Sequence, residues 1–281
     1  MSRRPSLLIA AVALAAFIGA CSSDAPVATR SGLPARIAAA GDSMTRAFNV
    51  GSCCVYSDAP EYSWATGDNA AVDSHYRRLR ELNPSVREFN FARTGAKIAD
   101  LDRQLRGAAA QKVDYLTILI GANDLLAVLG RAEDGCKPNP TAMTSVPTFK
   151  TRFRTALARF VAARPKASIL VASIPNVPRL WGLFSKDQAI LDVWSDRGSC
   201  QAALADARTD VAIRAASTRL RAYNDALAQV CKGFATCRWD GGATYRFPFR
   251  KADFSAVDYF HPNATGQRRI AAITWRAGFW G

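Results

Sequence analysis

The stretch ARIAAAGDSMTRAFN, Ala35–Asn49, carries the most information about the architecture. Its apolar residues Ile37, Ala38, Ala39 and Ala40 run without a break into Gly41, and the chain then turns polar at Asp42-Ser43-Met44-Thr45. A short apolar run closed by glycine has the pattern of a buried parallel strand. Such a strand delivers the next few residues to the carboxyl edge of a sheet, where open α/β folds bind ligands. The residue delivered here is Ser43. Taken alone, a serine after a strand reads as a helix N-cap.

Along the rest of the chain, similar short runs rich in β-branched and aromatic residues recur at Val86–Phe91, Val113–Ile120, Ala167–Ile174 and, more weakly, Thr236–Trp239. Amphipathic helical patterns separate them at Asn69–Leu82, Lys97–Ala109, Val146–Ala163, Gln201–Cys231 and Ala264–Trp275. Strands alternating with helices predict βαβ units and an α/β fold: a three-layer α/β/α sandwich with about five parallel strands. The chain has 281 residues, 49% hydrophobic and 21% charged, which excludes a disordered or fibrous protein. One domain over 35–281 suits that length.

Residues 1–21, MSRRPSLLIAAVALAAFIGAC, place two arginines before an apolar run too short to span a bilayer. That is an export signal over 1–20. Ile18-Gly19-Ala20-Cys21 resembles a bacterial lipobox, which implies lipidation of Cys21, a membrane anchor and a cell-surface or secreted location. The small, polar, Pro-containing residues 21–34 then form a tether. Setting Cys21 aside leaves six cysteines in a disulfide-permissive compartment. Cys231 and Cys237 would close a local loop, and Cys136 and Cys200, both in long connecting stretches, would pair with each other. Adjacent Cys53 and Cys54 would remain, joined to each other or exchanged into another pairing. No CxxC occurs, and neither histidine neighbours a cysteine pair, so no metal site is expected.

The formal charge is +14. Its arginines lie at helical spacings beside apolar residues, as on solvated helix faces, with attraction to anionic surfaces as the sharper reading. No basic block is interleaved with aromatics, so no nucleic-acid partner is expected, and the chain is taken as a monomer.

Four polar, glycine-marked spots follow strands or precede the last helix: Gly41-Asp42-Ser43, Phe91-Ala92-Arg93-Thr94-Gly95, Gly121-Ala122-Asn123-Asp124, and Asp258-Tyr259-Phe260-His261-Pro262-Asn263. Acyl transfer needs a nucleophile, a base, an orienter for that base and oxyanion donors, and this set supplies each type. Only two histidines exist. His75 lies in a charged helical stretch and reads as a helix position, which leaves His261, with Asp258 three residues away in reach of its ring.

The set resembles the SGNH (GDSL-type) hydrolase superfamily: a GDS block at Ser43, a glycine block at Gly95, a GxND block at Asn123 and a DxxHP block at Asp258 and His261, all in family order. The first block carries Met44 where the family name has Leu, a swap that keeps the bulk. The resemblance implies a flavodoxin-like fold without a cofactor. It also implies Ser43 as nucleophile, His261 as base and Asp258 as its orienter. The oxyanion hole would comprise the Ser43 and Gly95 backbone N–H groups and the Asn123 side chain. EYSWATG (Glu61–Gly67) and SIPNVPRLWGLF (Ser173–Phe184) look like the phospholipase-B and extracellular lipase branch.

From the residues alone, Leu180, Trp181, Leu183 and Phe184 fit either an apolar acyl-binding loop or a helix packed on the core. Arg46 and Arg93 fit either an anionic head group or solvent. The expected activity is hydrolysis of acyl esters by an esterase or lipase. The alternatives are a carbohydrate esterase and a non-catalytic lipoprotein that binds lipid or glycan.

Overall fold

The computed structural model describes residues 32–129, 137, 139–196 and 209–281. The export signal, Cys21, Cys136, Cys200 and the start of the helix expected from Gln201 lie outside them. Five strands, β1 (Arg36–Gly41), β2 (Arg87–Asn90), β3 (Tyr115–Leu119), β4 (Ser168–Val171) and β5 (Cys237–Trp239), form one parallel sheet in the order β2-β1-β3-β4-β5. The chain steps from β1 to β2 on one side, then crosses back to place β3 on the other. The ends of β1 and β3 therefore flank a topological switch point, the position at which such sheets bind ligands.

Ten α-helices fall within the described residues: α1 (Ser43–Arg46), α2 (His75–Leu82), α3 (Leu101–Ala110), α4 (Ala122–Leu126), α5 (Val146–Ala163), α6 (Arg179–Phe184), α7 (Gln188–Asp196), α8 (Thr209–Cys231), α9 (Ala243–Arg246) and α10 (Ala264–Ala277). Strand residues alternate between the two sides. Ala38, Ala40, Leu116, Ile118, Ile169 and Val171 belong to the large core containing Leu101 and Leu105 of α3, Phe149 and Phe153 of α5, and Leu220 and Leu227 of α8. Ile37, Tyr115 and Leu170 belong instead to a second core with Leu79 of α2 and Trp275 of α10. A sheet covered on both faces is the expected three-layer α/β/α sandwich.

The five strands fall where the apolar runs lie, and α5 matches its expected span. Two expectations change. The edge strand β2 exposes Arg87 and Glu88 rather than being buried on both faces, because only one neighbour covers it. Helix α2 starts at His75 rather than Asn69, because Ser74 caps it by accepting the Arg77 N–H. Two disulfides are present among the described residues, Cys231–Cys237 and the adjacent pair Cys53–Cys54. No described helix is long and apolar enough to cross a membrane.

His75 belongs to the second layer's support. It is fully buried, with Nδ1 2.9 Å from the Tyr115 hydroxyl and Nε2 2.8 Å from Thr274 Oγ1. Thr274 Oγ1 donates to Ile270 O at 2.6 Å, so it accepts from Nε2–H, and Nδ1 accepts from Tyr115. Burial, aided by the charge of Arg78, pushes the ring down to about 3 from 6.5. Between those values the unfolded chain binds a proton that the folded chain refuses. Stability from His75 is therefore fully present above pH 6.5 and lost as pH falls, by up to about 1.4 kcal/mol per pH unit. His75→Gln is expected to cost stability at pH 7, and that cost should shrink by on the order of 3 kcal/mol by pH 4.5. Urea midpoints of both proteins at the two pH values measure it, and an unchanged cost would contradict a neutral buried His75.

Candidate active site

Gly41 ends β1 with φ 153°, and a Cβ there would lie 2.2 Å from the Leu119 carbonyl oxygen. Only glycine lets β1 pass β3 so closely at this turn. The side chain of Gln104, on α3, then clamps the turn: Oε1 accepts the Gly41 N–H at 2.8 Å and Nε2 donates to Gly41 O at 2.9 Å. Asp42, rather than Ser43, caps the one-turn α1, its Oδ1 accepting the Met44 N–H at 3.0 Å. Ser43 is thereby left free of the capping duty that its position suggests. From α10, Gln267 fixes the other side of the turn by donating to Met44 O at 2.8 Å and accepting the Trp64 N–H at 3.0 Å.

Ser43 Oγ lies 2.9 Å from His261 Nε2, and His261 Nδ1 lies 2.6 Å from Asp258 Oδ2. The loop before α10 holds this arrangement by its own backbone. Asp258 Oδ1 accepts the N–H groups of Phe260 (3.0 Å) and His261 (2.9 Å), so the carboxylate fixes both the ring and the peptide that carries it. Asn49 Nδ2 donates a further bond to Asp258 Oδ2 at 2.7 Å, and Trp194 Nε1 donates to Asp258 O at 2.9 Å. Burial alone would raise the Asp258 carboxyl. The hydrogen bonds and charge of His261, with the Asn49 bond, outweigh it and hold the group below the ordinary carboxylate value. A hydroxyl bonded to a ring so oriented can pass its proton to Nε2 as Oγ attacks a carbonyl carbon.

The strand order puts the remaining expected residues on either side of Ser43. Gly95, φ +80°, follows β2, and Asn123, on α4, follows β3. The two loops touch: Asn123 Nδ2 donates to Ala96 O at 3.0 Å, and Arg93 N–H donates to Gly41 O at 3.1 Å. An amide nitrogen carries two hydrogens, so Asn123 can donate a second bond toward an oxyanion. Asp124 supports this corner from within, accepting the Ile98 N–H at 2.8 Å and the Thr144 hydroxyl at 2.6 Å.

Beside Ser43, burial pushes the Asp42 carboxyl up to about 7, and its Oδ2 is buried without a partner. Asn49, Gln104 and Gln267 join the site from sequence positions that no local pattern singles out. Arg46 is committed to Asp58 by an ion pair at 2.9 Å. No described group of three or more His, Cys, Asp or Glu residues is arranged to hold a metal ion.

Next to Met44 of α1 lies a largely apolar pocket with a void of about 30 Å³, lined by Val177, Leu180, Leu183, Phe249 and Phe260 among others. SIPNVPRLWGLF thus supplies a helix, α6, which buries Leu180 and Phe184 while Leu180 and Leu183 also line the pocket. Trp181 is half-buried against the core.

Several solved structures share the fold. An acetylxylan esterase from Geobacillus stearothermophilus matches with a TM-score of 0.53 at 16% identity, covering 87% of this chain and 95% of that one. An extracellular lipase from Streptomyces rimosus gives 0.52 at 14%, covering 87% and 99%. A lipase/acylhydrolase from Enterococcus faecalis gives 0.52 at 17%, covering 86% and 93%. No curated protein matches the chain in sequence. The family pattern of the GDSL-like lipases and acylhydrolases matches residues 39–269, a span that runs from the end of β1 into α10 and includes Ser43, Gly95, Asn123, Asp258 and His261. The chain belongs to the GDSL-like lipase/acylhydrolase family.

Proposed function

We propose that this protein hydrolyses carboxylic esters, with Ser43 as nucleophile, His261 as general base and then general acid, and Asp258 as the group that orients and stabilises the imidazolium. The observation that carries this reading is the continuous hydrogen-bonded line from Asp258 Oδ2 through His261 to Ser43 Oγ, at 2.6 and 2.9 Å. Attack of Oγ on the ester carbonyl forms a tetrahedral oxyanion, met by the N–H groups of Ser43 and Gly95 and by Asn123 Nδ2. His261 returns its proton to the leaving alcohol, and water then hydrolyses the acyl-serine by the same route.

The acyl group enters the pocket beside Met44 and Phe260. The void there measures about 30 Å³, and the proposed preference is for short acyl chains. Export and anchoring through Cys21 complete the reading and rest on the sequence of the first 21 residues. Initial rates on p-nitrophenyl acetate, butanoate, octanoate and palmitate test the assignment. Highest kcat/KM on acetate or butanoate is expected, with no gain at octanoate or palmitate, because methylenes that stay in water on binding add none of the roughly 0.8 kcal/mol that burying each would give. A rate that rises through octanoate to palmitate would overturn the short-chain reading.

A further inference from the structure

We propose that the concavity opening at Gly95 binds an anionic substituent, a carboxylate or phosphate, on the alcohol portion of the ester, with Arg93 as its ligand. The inference rests on the ester-hydrolase reading and names the substrate class of that same site. The concavity is a shallow, open one of about 340 Å³, lined by Arg93, Thr94, Gly95, Ala96, Asp100 and Arg103. It is polar where the pocket beside Met44 is apolar. A Cβ built on Gly95 would meet nothing within 4 Å, so ligand can reach the backbone there.

Charge distinguishes Arg93 from its neighbours. Arg46 is paired to Asp58, whose other oxygen accepts the Thr94 hydroxyl. Arg103 is paired to Asp100 at 2.9 Å, and Asp100 also accepts the Lys97 N–H. Both nearby carboxylates are engaged, while Arg93 is exposed and makes no ion pair or side-chain hydrogen bond with any described residue. Its backbone is fixed all the same, the N–H donating to Gly41 O at 3.1 Å and the carbonyl accepting the Ala96 N–H at 2.9 Å. A free guanidinium on an anchored peptide, two residues from Gly95, is suited to bidentate capture of carboxylate or phosphate.

Strand order gives the substrate a direction. The Gly95 loop follows β2, on one side of β1, whereas the acyl pocket draws on Val177, Leu180 and Leu183, which follow β4 on the other. An ester seated at Ser43 with its acyl group toward β4 points its alcohol toward Arg93.

Three esters with a common butanoyl group test this: 4-butanoyloxybenzoate, 4-butanoyloxyphenyl phosphate and the neutral methyl 4-butanoyloxybenzoate. Arg93→Ala is expected to raise KM for the anionic esters about tenfold with kcat within twofold, as loss of a charge-assisted hydrogen bond would. The neutral ester should be unaffected, and Arg93→Lys should recover part of the loss. An effect on both anions assigns a general anion site, and an effect on one alone narrows it to carboxylate or phosphate. Equal changes on the neutral and anionic esters, or none on any, would overturn the proposal. Ser43→Ala on the neutral ester separates the two claims: retained activity there refutes the nucleophile, whatever Arg93 does.

Discussion

Ser43→Ala and His261→Ala are each expected to lower kcat for ester hydrolysis about 10⁴-fold or more, with far-UV circular dichroism and the urea midpoint close to wild type. No other imidazole can stand in. The chain has two histidines, and both ring nitrogens of the other, His75, are bonded in the core. A residual rate should remain, because the oxyanion donors and the binding pocket survive either change. The double variant should be no worse than the single ones, since the two groups act as a unit. A double variant that loses the product of the two single losses would show that Ser43 and His261 work independently, against the 2.9 Å bond between them.

Asp258→Asn carries the second largest effect, about 10³- to 10⁴-fold in kcat, because an amide nitrogen facing Nδ1 favours the wrong tautomer. Asp258 is also structural. Its carboxylate accepts from the Phe260 and His261 peptides, from the His261 ring and from Asn49, and those bonds hold it ionised below the ordinary carboxylate range. A depressed folded value means that its stabilisation is present above about pH 4 and is lost as the solution is acidified through the folded value. Asp258→Asn should therefore cost more stability at pH 7 than at pH 3, as well as activity. Asn49→Ala removes one of the bonds to Oδ2 and should give a smaller loss of kcat in the same direction. If Asn49→Ala matched Asp258→Asn in kcat, orientation of the carboxylate rather than its charge would dominate.

The strands and long helices are legible in the sequence because burial on both sheet faces and amphipathic periodicity leave patterns over many residues. Helix α5 spans Val146–Ala163 as its apolar spacing requires, and β1 is apolar because helices cover both faces of its sheet. The short helices α1, α4, α6, α7 and α9 are too brief for periodicity to reveal, and tertiary contacts decide them. The candidate site is legible for a different reason: each group follows a strand or precedes α10, with a glycine or proline marking the spot.

The supporting residues are not legible. Gln104 reaches Gly41 across 63 positions, Asn49 reaches Asp258 across 209 and Gln267 reaches Met44 across 223. A single polar side chain acting at that range leaves no local signature. The cap is a smaller case. A serine after a strand suggests an N-cap, yet Asp42 stands one residue earlier and accepts the Met44 N–H, leaving Ser43 to His261. His75 has the opposite lesson: a charged stretch, YRRLREL, follows it, but its own position at the start of α2 turns it into the core.

In the proposed reaction everything depends on a covalent bond from Ser43 Oγ to the acyl carbon. Labelling with a fluorophosphonate ester, which serine nucleophiles attack with loss of fluoride, probes that reactivity at its source, read by intact mass and then by peptide mapping. One adduct per chain is expected, located on Ser43, abolished in Ser43→Ala and strongly slowed in His261→Ala. Stoichiometric labelling at any other residue, or undiminished labelling of Ser43→Ala, would refute Ser43 as the nucleophile.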